Sequence, residues 1–534
     1  MASEHYDYDW MVIGSGFGGS ISALRLAEKG YKVAVAERGR RWTEATLPKS
    51  AWRLPSFHWL PSLGLRGVMR LLVFKDLFVV SGSGVGGGSL IYAGTLYRPP
   101  EGYFKAHRWA GRDDWAQALA PHYDTAERML GVARVPFDSD GARALREYGQ
   151  AIGRAEHFEP TPCGIFFGEP GKTVPDPYFG GEGPPRTGCT RCGACMVGCR
   201  DGGKNSLDKN YLWFAEKRGA QILPEHRVTD IKPLGGPDGA DGYLVTTERP
   251  GAWFNRRRRE FRVRGVVLAA GSAESTRLLL KCRATGSLPG LSARIGTQVR
   301  TNSESILAVK LPASSPLQLW NTVAHCASLF VSEDTHVALC TYGKAGDGMS
   351  SFFTLLVGPG SGWTRPLKLL GQAILHPIKF LGTLWPVGWS KRTAILLVMQ
   401  NLDNGITLVA RRGLLGGFRM GSAQDIAKPA PTFIQAATDV AKWWATRFGG
   451  TAQTALPEAI ANVPSTSHML GGAVIAADAA QGVVDHRNRA FGYRNLLVCD
   501  GSALPANLGV NPSLTIAAVT EHAMSHVPAA AAKG

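Results

Sequence analysis

Long apolar runs are missing from this chain of 534 residues. None reaches the roughly 18 consecutive apolar residues that a membrane-spanning helix needs. A polar stretch carrying Glu4, Asp7 and Asp9 precedes the first apolar run, unlike a secretory leader. The expectation is a cytoplasmic protein, free or peripheral to a membrane. Cysteine is scarce too: nine residues, an odd number, in 57.2 kDa. That argues against a disulfide framework. Acid is outnumbered, with 42 Asp and Glu against 59 Lys and Arg and a net charge of +17. Such an excess favours polyanions. Yet no nucleic-acid motif accompanies it. The clearest basic run, Arg256-Arg257-Arg258-Arg259, lies between strand-like stretches at 242–247 and 260–268. It is expected to be a solvated hairpin tip, with no nucleic acid bound. Internal repeats at solenoid periods are absent as well.

What is present begins near the N-terminus. Residues 9–35 read as strand, glycine turn, helix and second strand, and the second strand ends in Glu37. The turn is Gly14-Ser15-Gly16-Phe17-Gly18-Gly19. In such a turn Gly14 permits the tight bend, Gly16 lets backbone approach a pyrophosphate, and Gly19 lets the helix pack on its strand. The helix N-terminus then faces the phosphates, and Glu37 can accept from ribose hydroxyls. A second glycine-dense loop spans 81–90. An apolar strand, 266–270, runs into Gly271 and a helical stretch at 275–280, which reads as a second crossing of the same domain. The last part reads strand (496–498), loop, helix. The fold class is therefore α/β (α+β overall). A Rossmann-like dinucleotide domain is expected from the discontinuous segments 1–100, 201–300 and 465–534. A mixed-sheet substrate domain is expected from 101–200 and 301–464, carrying a cysteine-rich loop at 189–199.

That loop is Cys189-x2-Cys192-x2-Cys195-x3-Cys199, the spacing of a ferredoxin run. No proline follows Cys199, and no second run exists to complete a two-cluster arrangement. A [4Fe–4S] cluster, a structural zinc and a metal-free loop of reduced thiols all remain open. Two other segments, 52–80 and 363–389, mix large apolar residues with Arg or Lys and hold almost no acid, Asp76 excepted. In the second, Lys368, Gln372 and Lys379 recur near helical spacing, and Pro377 should break or kink the helix. Such segments suit a surface lying in a bilayer interface. They equally suit an internal pocket or core.

Taken together, the pieces resemble the glucose–methanol–choline (GMC) oxidoreductase family, in particular its bacterial cholesterol oxidase-like branch. The carriers are Gly14 to Gly19 with Glu37, the loop Gly84-Val85-Gly86-Gly87-Gly88-Ser89, residues 268–275, His468-Met469-Leu470-Gly471-Gly472, and the long stretch from Asp500 to Ile516. The resemblance implies a tightly held FAD, with Gly84, Gly86, Gly87, Gly88 and Ser89 against the flavin and Asp500-Gly501 at its ribityl or pyrophosphate region. It implies His468 as the base that takes the hydroxyl proton, with Asn511 orienting the substrate oxygen. The implied substrate is a bulky apolar alcohol such as a 3-hydroxysteroid. Either oxygen or an electron-transfer protein would take the electrons, and an iron–sulfur cluster would favour the latter. Desaturation beside a ketone and non-redox lyase or decarboxylase chemistry are alternatives. One departure stands out. Where isomerising cholesterol oxidases usually offer a glutamate, this chain aligns Ala338. Glu333 or Glu304 would have to serve instead, or the isomerase step is lacking.

Overall fold

A computed structural model describes residues 5–105, 109, 114–413, 417–425 and 427–531. The first of two large sheets runs in the order Gln221–Leu223, Val33–Ala36, Tyr8–Ile13 and Arg259–Leu268, each parallel to its neighbour. Leu496–Val498 joins the upper half of Arg259–Leu268, also in parallel. Tyr243–Glu248 and Arg227–Pro233 extend the sheet antiparallel from the lower half. The parallel strands are buried on both faces, which is why Val33–Ala36 and the end of Arg259–Leu268 read as unbroken apolar runs. The strands come from the start, middle and end of the chain. Helices Phe17–Glu28, Tyr211–Lys217 and Ser513–Ser525 lie together and meet at Glu521. Its carboxylate takes the Arg25 guanidinium at 2.7 Å and the Tyr211 hydroxyl at 2.7 Å. Arg256, Arg257 and Arg258 lie in the loop between Tyr243–Glu248 and Arg259–Leu268, Arg259 opens the second strand, and all four are exposed.

The second large sheet runs Phe353–Leu355, Thr451–Ala455, Ser305–Lys310, Thr393–Gln400, Thr335–Cys340, His325–Ser332 and Phe158–Pro160. Every pairing in it is antiparallel, so it is not the mixed sheet expected. The physical reason lies in the connections. His325–Ser332 turns directly into Thr335–Cys340, and no helical crossover intervenes to make those neighbours parallel. Side chains alternate between the faces. Leu307, Val309, Leu396 and Val398 pack under helices Asp140–Ala151 and Gln435–Arg447, with Trp444 fully buried among them. Ile306, Ile395, Leu397 and Cys340 point the other way, towards the first sheet.

The two acid-poor segments have different fates. Pro377 opens a new helix, so residues 364–384 form Thr364–Leu375 and Pro377–Leu384 with a break at His376. Both helices lie on the surface with their large apolar side chains outward; Trp363 is 86% and Ile378 85% exposed. Arg365 is buried and clamps the first helix to the Thr432 carbonyl at 2.7 Å. Residues 52–80 are divided. Phe57, Val68 and Leu77 are core, Leu72 and Val79 line a cavity, and Trp52, Leu54, Leu63 and Val73 are exposed. Residues 345–347 touch an end of each segment: the Ala51 amide donates to the Ala345 carbonyl, and Asp347 accepts from Gly388 and Ser390. Among the described residues no helix is long and apolar enough to cross a membrane.

Trp444→Ala should cost about 3–5 kcal/mol, the usual result of emptying a buried indole site. A lower urea midpoint with an unchanged slope would register it; an unchanged midpoint would contradict this packing.

Candidate active site

The carboxyl ends of the parallel strands and the inner face of the antiparallel sheet enclose a cavity of about 370 Å³. Its nucleotide end is built by the first glycine turn. Gly14 has a φ of +99°, and a Cβ there would come within 2.4 Å of the Ala269 carbonyl. A Cβ on Gly19 would lie 2.0 Å from the Gly14 oxygen, so the helix can sit on its strand only with glycine. Gly16 lines the cavity, and a Cβ on it would meet no protein atom within 4 Å. A side chain there would occupy the space a pyrophosphate needs.

Glu37 lines the same end, but protein donors already surround its carboxylate. Oε2 accepts from the Ser15 amide at 3.2 Å and hydroxyl at 2.7 Å; Oε1 accepts from Gly39 N at 2.7 Å and Gly84 N at 3.3 Å. It therefore cross-links three loops, and a ribose hydroxyl would share it by displacing the Ser15 hydroxyl. Asp500 is built alike. It accepts from Gly271 N at 2.9 Å and Ser275 Oγ at 2.5 Å, and from the Ser502 amide and hydroxyl at 2.8 and 2.5 Å. Burial pushes its carboxyl pKa up, and these donors oppose the rise.

Asp500, Gly501, Gly87 and Gly88 line the cavity, whereas Gly84, Gly86 and Ser89 stand behind it. Ser89 bonds the Gly86 carbonyl at 2.7 Å and the Leu207 amide at 3.1 Å. Its work is to hold the loop. A charge cluster that the sequence reading did not single out also lines the nucleotide end. Burial opposes ionisation of Glu274, but Arg70, Arg38 and Arg277 outweigh it and hold its carboxyl well below the usual range. These residues are scattered in sequence, and only the fold assembles them.

At the other end His468 and Asn511 come together, the His468 Nε2 lying 3.1 Å from the Asn511 amide nitrogen. His468 Nδ1 is 2.6 Å from Oε1 of Glu304, whose side chain has no exposed surface. The second Glu304 oxygen accepts from Ser467 N at 3.0 Å. Sequence reasoning named Glu304 only as a stand-in for a missing glutamate. Glu333, the other stand-in, lies on the exposed hairpin turn beside Arg154, away from the cavity. Ala338 is fully buried in its strand.

The four clustered cysteines line one small cavity of about 10 Å³, beside Lys204. That is about the space of one water. Lys204 is buried and spends its ammonium on the carbonyls of Leu90, Tyr92 and Cys195 at 2.9, 3.1 and 2.7 Å. Burial pushes the Cys189 thiol up to about 11 and raises Cys192 and Cys195 as well. Among the described residues no group of three or more His, Cys, Asp or Glu is placed to hold a metal ion. As arranged, Cys189, Cys192, Cys195 and Cys199 do not fit a [4Fe–4S] cluster or a zinc. They form a packed thiol loop, and the ferredoxin-like spacing misleads because it says nothing of where the side chains turn.

A model described as FAD dependent oxidoreductase matches residues 9–347, and one described as GMC oxidoreductase matches residues 414–520. A cholesterol oxidase of Acinetobacter baumannii is 43% identical over 99% of this chain and 96% of its own length. The chain belongs to the GMC oxidoreductases. A cholesterol oxidase of Mycobacterium tuberculosis is 46% identical over 98% of this GMC chain and 91% of its own. Among solved structures, pyridoxine 4-oxidase from Mesorbium loti superposes with a TM-score of 0.61 at 17% identity, covering 97% of this chain and 99% of that one. A fungal aryl-alcohol oxidase superposes at 0.56 with 13% identity, covering 98% of each. Those two likenesses are of fold. As a GMC oxidoreductase the protein is an FAD-dependent enzyme acting on CH–OH groups.

Gly16→Val should fill the open side of the turn and lower the FAD retained after purification roughly tenfold or more, a change of about 1.4 kcal/mol in binding. Flavin absorbance at the level of the unmodified protein would contradict the placement.

Proposed function

We propose that this enzyme oxidises the secondary hydroxyl of a bulky apolar alcohol, a 3-hydroxysteroid or sterol, to the ketone, with His468 as the base. The observation that carries the reading is His468 between Glu304 and Asn511 at the end of a cavity whose floor is apolar. FAD, when bound, supplies the hydride acceptor. Gly14, Gly16, Gly87, Gly88, Asp500 and Gly501 are the residues that would hold it, with Glu37 keeping the loops in place. The nucleotide domain is then 1–100, 201–300 and 465–534, and the substrate domain 101–200 and 301–464.

Glu304 keeps a proton on Nδ1 of His468, so Nε2 carries a lone pair, which the Asn511 amide meets here and the substrate hydroxyl takes over on binding. As the hydride departs from carbon, Nε2 takes the hydroxyl proton, and the buried carboxylate stabilises the imidazolium that forms. Asn511 stays neutral throughout and donates to the same oxygen. Ile306, Ile395 and Leu397 exclude water and favour an apolar ring system. The relatives' name, cholesterol oxidase, supports a sterol substrate and dioxygen as the electron acceptor.

A sterol must be drawn from lipid, and the exposed apolar face fits that need. Leu367, Leu370, Ile374, Ile378 and Trp385 are exposed, as are Trp52 and Leu54 of the other acid-poor segment. The net charge of +17 complements an anionic bilayer. The occupant of this face is accordingly a membrane surface.

His468→Ala should slow anaerobic flavin reduction by the alcohol about 10²–10⁴-fold, the usual worth of a positioned acid–base group. Its FAD content should survive; unchanged reduction kinetics would remove His468 from the mechanism. Replacing Leu370, Ile374 and Trp385 with polar residues should weaken the salt-resistant part of binding to anionic vesicles while sparing turnover of a detergent-solubilised sterol. Sedimentation without any vesicle binding at low salt would sink the membrane reading.

A further inference from the structure

The cavity wall holds a second histidine that the mechanism above leaves unused. His325 opens the strand His325–Ser332, has no exposed surface and lines the cavity. The strand register places it in one row with Cys340, Ile395 and Ala308, an otherwise weakly polar or apolar row across the cavity-facing sheet. Its Nδ1 lies 2.9 Å from the hydroxyl of Thr95, which is also buried and also lines the cavity. Its Nε2 is buried and meets no partner among the described residues.

A neutral imidazole has one N–H and one lone pair, and leaving either buried and unmet is costly. Buried polar atoms are nearly always satisfied. An unmet group on the wall of a reaction cavity is available to the polar atom of a ligand. The ring is also unsuited to acid–base work. Burial, with the Ala327 backbone opposing and His468 adding, pushes His325 down to about 3. It therefore stays neutral across the working range and does not compete with His468 for the substrate's proton. What remains to it is hydrogen bonding.

Resting on the alcohol-oxidation reading, we infer that His325 binds the oxygen of the substrate and of the ketone product. With the Thr95 hydroxyl donating to Nδ1, the ring carries its proton on Nε2. That Nε2–H then donates to the oxygen as the alcohol becomes a ketone, alongside the Asn511 amide. The alcohol's proton goes to His468, so His325 gains and loses none. His325 thus selects, within an apolar pocket, a ligand that presents a hydrogen-bond acceptor at this position.

The test is a titration of the oxidised, FAD-loaded enzyme with a 3-ketosteroid, read as the perturbation of the flavin absorption spectrum. His325→Phe should weaken ketone binding roughly tenfold or more, the worth of one hydrogen bond to a buried oxygen. Thr95→Val, which removes one hydroxyl at nearly constant shape, should weaken it by a smaller factor. His325→Gln, which keeps an N–H, should restore part of the loss. A steroid lacking the 3-oxygen should bind the unmodified enzyme and Thr95→Val alike. If His325→Phe does not fold, Thr95→Val decides the matter. A wild-type spectrum that responds to the ketone, with variants that bind it equally tightly, overturns the role of His325 alone. A wild-type spectrum indifferent to any 3-ketosteroid overturns the steroid reading and this inference with it.

Discussion

Glu304 is the constraint on which the site depends. A carboxylate without exposed surface is costly unless donors meet it, and here they are His468 Nδ1 and Ser467 N. Both donors come from a short stretch more than 160 residues away in sequence, so that stretch has to be pinned. Ser465–Thr466 pairs in parallel with Phe78–Val79 of the strand Phe78–Gly82, and Leu470 exchanges both backbone hydrogen bonds with Arg300. Glu304 itself stands at the mouth of Ser305–Lys310, the strand that begins the antiparallel floor. The His468 imidazole is thus oriented by one sheet while its own backbone is fixed by another. Such pre-organisation keeps a general base ready at the moment of reaction.

Two other buried carboxylates do comparable work at the nucleotide end. Glu37 draws together Ser15, Gly39 and Gly84, and Asp500 draws together Gly271, Ser275 and Ser502. Each binds loops that leave the carboxyl ends of the parallel strands, where ligands of open α/β sheets bind. Glycine-dense loops have little side-chain packing of their own. Carboxylates that accept several backbone N–H groups replace it, and they shape a crevice that backbone alone could not hold open.

Much of this was legible in the chain, and the legible part is local. Gly14, Gly19 and Glu37 fall within one strand–turn–helix–strand unit, whose spacing fixes what each residue meets. Pro377 divided its segment into two helices because a missing N–H and a fixed φ act on the nearest turn. Contacts between distant segments left less trace. Glu304 was visible as a carboxylate, but its partner lies 164 residues on. His325 sits in an apolar strand where a lone histidine looks like ordinary core. The antiparallel order of the second sheet depends on pairings such as Ser305–Lys310 with Thr451–Ala455, between segments far apart in the chain. The cysteine run erred in the opposite sense: its spacing was suggestive, but the thiols line a cavity of only about 10 Å³.

The central claim is that His468 and Glu304 act as one unit in removing the hydroxyl proton. A double-mutant cycle on anaerobic flavin reduction tests it most directly, using His468→Ala, Glu304→Gln and the combination, each loaded with FAD. Residues that act together are strongly non-additive. The account predicts that Glu304→Gln alone slows reduction, and that adding it to His468→Ala slows reduction no further. Full additivity of the two effects, or a Glu304→Gln enzyme as fast as the unmodified one, would contradict it.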